Sequence, residues 1–244
     1  MTDHPALVAI GVFVVYTALV AVLWKVNGVR YDTIAESRDS VVRGIVVPIG
    51  VGGLLLAVAT TWLGWWHPVL FQEGRTGPAW ALVVPVMLGV VGLVGALNID
   101  YRSEARGVLP WLAAGVLLVG FSEEVLTRGL LIVGGRQAGW SELVVVIVSC
   151  VLFGLLHGIN ALFGQSPQQT VTQIVMATVV GAAFYATRMS TGTLIVCMLL
   201  HALWDFGTLG QTTTGRAQKP LAGALALATF ALGLVATAFV VAAS

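Results

Sequence analysis

Charge is what this sequence has least of. Only 9% of its 244 residues are Asp, Glu, Lys or Arg, against about 25% in an ordinary soluble domain. That excludes a water-soluble fold around one core. The formal net charge of +1 leaves no basic surface for nucleic acid and no acidic tail. Cysteine is scarce as well. Cys150 and Cys197 both lie inside apolar runs, where they read as small buried side chains rather than as a disulfide or ligand pair. The opening MTDHP lacks the positive n-region of a secretory signal, and the apolar stretch from Ala6 to Trp24 is longer than a signal h-region, so it reads as a retained first span. What remains is hydrophobicity: 58% of the residues are apolar and the mean hydropathy is +0.95.

Crossing the hydrocarbon core takes about 20 mostly apolar residues. By that rule helices are expected near 6–24, 43–64, 79–98, 108–133, 142–158, 171–188, 192–207 and 221–243. The expected fold is all-α: a polytopic bundle of about eight transmembrane helices, one membrane-embedded domain over 1–244, with no fixed-period repeat. The polar connector from Lys25 to Ser40 is read equally as an interfacial helix or a loop. Trp62, Trp65 and Trp66 are placed in an interfacial aromatic belt, and the many glycines within spans as close-packing residues.

Orientation follows from the cations. The odd-numbered connections and their flanks carry Lys25, Arg30, Arg38, Arg43, Arg102, Arg106, Arg216 and Lys219, and the opposite side carries Arg75, Arg136 and Arg188. The positive-inside rule places the odd connections in the cytoplasm and both termini outside.

Six ionisable residues contradict the apolar background. Glu123, Glu124 and Arg128 lie in VLLVGFSEEVLTRGLLIV, His157 in VVIVSCVLFGLLHGIN, and His201 and Asp205 in LIVCMLLHALWDF. Each costs about 2.5–3.5 kcal/mol near the bilayer centre on insertion scales, so they are expected to face one another inside the bundle. Glu124 and Arg128 share a helix face at i,i+4, as do His201 and Asp205. Glu123 points about 100° away from Glu124, free to meet a different partner. On straight helices Glu123, His157 and His201 sit at different depths, so tilt, or spans that start later than these bounds, must bring them together; a polar funnel opening to the cytoplasm would satisfy both depth and charge.

A carboxylate and an imidazole can together take a proton from water and make it nucleophilic toward a carbonyl, while a second histidine and a polar neighbour stabilise the oxyanion. Alternatively, His157 and His201 with a carboxylate are candidate ligands for zinc or another divalent metal. Both schemes hydrolyse an amide. HExxH, GxSG and GxGD are all missing, which removes the zincin, rhomboid-like and aspartyl intramembrane proteases. Two non-hydrolytic readings remain: a proton-coupled transporter and a catalytically idle binding or immunity protein.

The three patterns in this order resemble the CAAX-processing and bacteriocin-processing intramembrane proteases, the CPBP or Abi family, which carries EExxxR, FxxxH and HxxxN/D in consecutive membrane segments. Here they stand as Glu123-Glu124-Val125-Leu126-Thr127-Arg128, Phe153-Gly154-Leu155-Leu156-His157 and His201-Ala202-Leu203-Trp204-Asp205. The resemblance covers about 108–207, the expected catalytic core. It implies a multi-pass endopeptidase of the cell membrane, acting on a protein or peptide at or in the bilayer. Glu123 would be the catalytic carboxylate and His157 its partner on the attacking water. Glu124 and Arg128 would support the site, with His201 and Asp205 near the oxyanion. The family's eukaryotic branch, which trims prenylated proteins, has asparagine at the last position. An amide donates a hydrogen bond and an ionised Asp205 does not, so Asp205 must be protonated, orient His201 or bind a metal.

Overall fold

The computed structural model describes residues 3–72 and 77–244. Lipid offers backbone groups no hydrogen-bond partners, so a chain this apolar must satisfy them within its own helices. The described residues accordingly hold no strand beyond one isolated antiparallel bridge, Phe71 to Thr193. Eight long helices follow in order: α1 (Pro5–Val26), α2 (Arg38–Leu63), α3 (Ala79–Leu97), α4 (109–137), α5 (Glu142–Phe163), α6 (Pro167–Thr191), α7 (Leu194–Thr213) and α8 (Pro220–Ala242). Seven of them are long and apolar enough to cross a membrane; α4, which carries the EExxxR residues, is outside that set. The protein is an all-α polytopic membrane protein.

Local signals set several of the ends. Pro5, Pro167 and Pro220 occupy first turns, where the missing N–H is no loss. Gly64 and Gly192 stop α2 and α6 with φ of +67° and +73°, a conformation that L side chains resist. Some helices outlast their apolar runs. The expected end of α7 at 207 moves to Thr213, because Gln211, Thr212 and Thr214 return side-chain hydrogen bonds to carbonyls four residues back. Similarly, α2 begins at Arg38 rather than 43 and α5 runs to Phe163 rather than 158.

The helices close around a central space. α4 packs its first half between α2 and α7 and its second half against α1 and α5; α7 lies on α3, α6 on α5, and α8 bridges α3 and α6. The connections form two layers. On one side Tyr31 meets Gln173, Trp24 meets Phe163, Ala35 meets Thr213, and Asp100 meets both Thr214 and Arg216. This layer joins the first, third, fifth and seventh connections. The other side joins Gln72 to Gly192 and Arg136, and Pro68 to Arg188.

Three sequence expectations change here. The connector between α1 and α2 is a folded strap with a 3-10 turn at Tyr31–Thr33, and its Ile34 and Ala35 are buried. Trp65 is buried in the core while Trp62 is fully at the surface, so only part of the tryptophan cluster fits a belt. Arg188 is not a loop cation: it is 1% exposed and donates to the carbonyls of Arg128 and Pro68. Arg75 lies outside the described residues. Cys150 and Cys197 are buried and unbridged, as expected.

Candidate active site

Glu124 lies at the last α-helical position before a π-helical stretch, Val125–Leu130, whose six residues are all buried. Single π turns of this kind mark functional positions in many helices. The following i+4 residue, Arg128, reaches back to Glu124 at 3.1 Å, and both side chains are fully buried. Thr127 accepts a second hydrogen bond from the same guanidinium nitrogen at 2.8 Å. Arg128 also lies over the Phe153 ring, 3.9 Å from its centroid. This stacking partly answers the desolvation of a buried cation.

Two close approaches set this geometry. A Cβ at Gly120 would collide with the Met198 carbonyl and lie 3.2 Å from Ala202 N, so only glycine lets α4 come this near α7. That contact brings Glu124 to His201. A Cβ at Gly181 would lie 3.1 Å from Arg128 Nη2, which leaves α6 room to pass the guanidinium.

His201 is the meeting point of the carboxylates. Its Nδ1 is 2.8 Å from Glu124 Oε1; since a carboxylate only accepts, the ring donates there. Its Nε2 faces Asp205 Oδ2 at 3.6 Å and Glu123 Oε2 at 3.7 Å. The ring stacks on Phe184 at 5.0 Å and meets the edge of Phe153 at 5.8 Å. His157 closes α5's regular helix, with Nδ1 3.0 Å from the Phe153 carbonyl. That bond makes Nδ1 the donor and leaves Nε2 with a lone pair. Phe153 therefore touches Arg128, His157 and His201 at once.

Glu123, His157, His201 and Asp205 line one cavity of about 560 Å³. The depth spread expected from straight helices is resolved by where α5 ends and by the close α4–α7 contact. The cavity's lower wall comes from Trp24, Tyr31, Ile34, Asn160, Gln173 and Thr208, residues of the layer that joins the odd-numbered connections. Gln173 donates to Tyr31 Oη at 2.9 Å and accepts from Asn160 at 3.0 Å. Burial pushes the Tyr31 phenol up to about 12, so its link to Gln173 stays intact across the physiological pH range. Glu123 Oε2 is buried and has no hydrogen-bond partner.

Among the described residues no three His, Cys, Asp or Glu side chains are grouped to hold a metal ion. His157 and His201, the two candidate ligands, line the same cavity. Sequence patterns missed four contributors: Phe184, Arg188, Thr127 and Tyr16, the last being a cavity residue from α1. Phe184, Thr127 and Tyr16 are ordinary residues within apolar runs and Arg188 reads as a loop cation, so only packing distinguishes them.

Comparison with curated proteins and with solved structures finds no match. A family model does match. Its description is type II CAAX prenyl endopeptidase, Rce1-like, and the match spans residues 105–207. The three spans before it and the helix after it lie outside the match. The segment from 105 to 207, which holds all three motifs, matches the CAAX-processing intramembrane protease family.

Proposed function

We propose that the protein is an intramembrane endopeptidase in which Glu123 and His157 activate a water molecule against a peptide carbonyl. The observation that carries this reading is the Glu123 carboxylate, whose buried Oε2 accepts no hydrogen bond, in a cavity shared with a histidine whose Nδ1 is tied to a backbone carbonyl and whose Nε2 is left to accept. The family match supports endopeptidase activity at the membrane in general. A water between Glu123 and the His157 Nε2 gives up one proton to Glu123 as its oxygen bonds to the carbonyl carbon, with His157 accepting its other O–H and fixing its direction. The carbonyl oxygen becomes an alkoxide. When the tetrahedral centre collapses, the C–N bond breaks and the amine leaves with the proton held by Glu123.

Glu124 and Arg128 act through His201. Their buried pair fixes Nδ1 of its ring, so Nε2 stays aimed into the cavity between Glu123 and Asp205. Asp205 is read as the acceptor that orients this ring. The substrate is a protein or peptide presented at or in the bilayer.

The cavity is read as opening to the cytoplasm. All eight cations on the odd-numbered connections are exposed, whereas on the opposite side Arg188 is buried, an asymmetry of the kind that orients a membrane protein.

The test compares peptide ends in the membrane and secreted proteomes of cells carrying wild type or Glu123→Gln, with both proteins present in the membrane at equal level. New termini made only by wild type are expected. Identical profiles would defeat the reading.

A further inference from the structure

The proposed reaction has an unmet requirement. A tetrahedral alkoxide needs hydrogen-bond donors aimed at it, and the groups from the three motifs are mostly acceptors. Glu123, Glu124 and Asp205 are carboxylates; Nδ1 of His201 is committed to Glu124 and its Nε2 is held between Asp205 and Glu123, and Nδ1 of His157 is committed to a backbone carbonyl. The Arg128 guanidinium is fully buried between Glu124 and Phe153 and is not among the residues that line the cavity.

A neutral donor does stand in the cavity wall. Tyr16, halfway along α1, lines the same cavity as Glu123, His157, His201 and Asp205. It is 1% exposed, and its hydroxyl has no hydrogen-bond partner. Glu123 lies near enough to interact with it electrostatically. A buried hydroxyl left unsatisfied costs about 1–3 kcal/mol, so its retention inside an apolar helix calls for a use.

The ring is deliberately accommodated. A Cβ at Gly52 of α2 would lie about 2.5 Å from Tyr16 Cε2, so glycine alone gives the phenol this position. Ser122 is the other polar group close to the phenol; it spends its own hydroxyl hydrogen on the Ile49 carbonyl at 3.4 Å.

Building on the protease reading, we propose that Tyr16 is a catalytic residue that donates its phenolic hydrogen bond to the carbonyl oxygen as that oxygen becomes an alkoxide. The phenol keeps its proton throughout; the bond strengthens as charge develops and relaxes when the C–N bond breaks. Tyr16 lies outside the matched segment 105–207, so the first span is part of the reaction centre and not only its scaffold. It supplies what an ionised Asp205 does not.

The test uses the full chain in nanodiscs of phosphatidylcholine and phosphatidylglycerol, with a randomised library of internally quenched decapeptides as substrate and kinetics on the member cleaved fastest. Tyr16→Phe is expected to lower kcat about 100-fold or more, leave KM within about twofold, and leave Tm unchanged or higher because an unsatisfied hydroxyl is gone. A kcat within about twofold of wild type would overturn the proposal. So would a lower kcat accompanied by a lower Tm or a raised KM, which would make Tyr16 structural or a binding contact. Glu123→Gln separates the two readings. If it is inert while Tyr16→Phe is fully active, only Tyr16's role falls; if no cleavage depends on Glu123, both fall.

Discussion

The guanidinium of Arg128 sits 3.9 Å above the ring of Phe153, so the middle motif's aromatic residue supports the first motif's cation. The same ring meets His157 at 5.3 Å and His201 at 5.8 Å, edge to face in both cases. The phenylalanine of FxxxH thus joins all three motifs, although by itself it looks like any other apolar residue in a membrane helix.

Replacing it tests that role. Phe153→Leu keeps the site apolar but removes the ring. The loss of a desolvated cation–π contact is expected to cost about 2 kcal/mol, read as a lower unfolding midpoint in detergent, with reduced activity as the two histidines loosen. An unchanged midpoint would show that Arg128 does not depend on the ring.

Arg128→Ala should be worse. It leaves Glu124 buried without its cation, and breaking a buried pair from one side costs about 3–5 kcal/mol. A fall in folded yield is expected, in addition to lost activity. The double variant Glu124→Gln with Arg128→Met removes both charges and should recover much of the yield while remaining inactive. Equal yields for the single and double variants would mean that the pair is not the source of the defect.

Asp205→Asn distinguishes its roles. The carboxylate lies 3.6 Å from His201 Nε2, within ion-pair distance of the ring. If Asp205 orients that ring, the amide should fold normally and lose about tenfold or more in kcat, since a poorer acceptor leaves the imidazole less well held. Full activity in the amide variant would reassign the position to hydrogen-bond donation.

Sidedness can be read with cysteine labelling, because Cys150 and Cys197 are buried. Ala138 and Arg216 are both exposed, on opposite connection layers. In intact spheroplasts a membrane-impermeant maleimide should modify Ala138→Cys and not Arg216→Cys. The reverse pattern would turn the cavity to the outer face.

What could be read along the chain was whatever depends on near neighbours. The Glu124–Arg128 pair is an i,i+4 contact on one helix, and it forms as such a contact should. The number of long helices, the burial of both cysteines and the order of the motifs are likewise local properties. Helix ends were less legible: hydropathy stops at the last apolar residue, whereas Gln211 and Thr214 carry α7 further through their own side-chain hydrogen bonds.

Tertiary structure decided the rest, because it depends on which faces meet. Arg188 reads as a loop cation until its guanidinium is found on the Arg128 and Pro68 carbonyls. Tyr16 is one polar group in an apolar span until α1 sets it in the wall beside Glu123. Composition determined that this chain folds in lipid, since backbone and charge have no other refuge there. Which charges would share a cavity was settled by close approaches such as Gly120 on Met198, contacts between residues far apart in sequence.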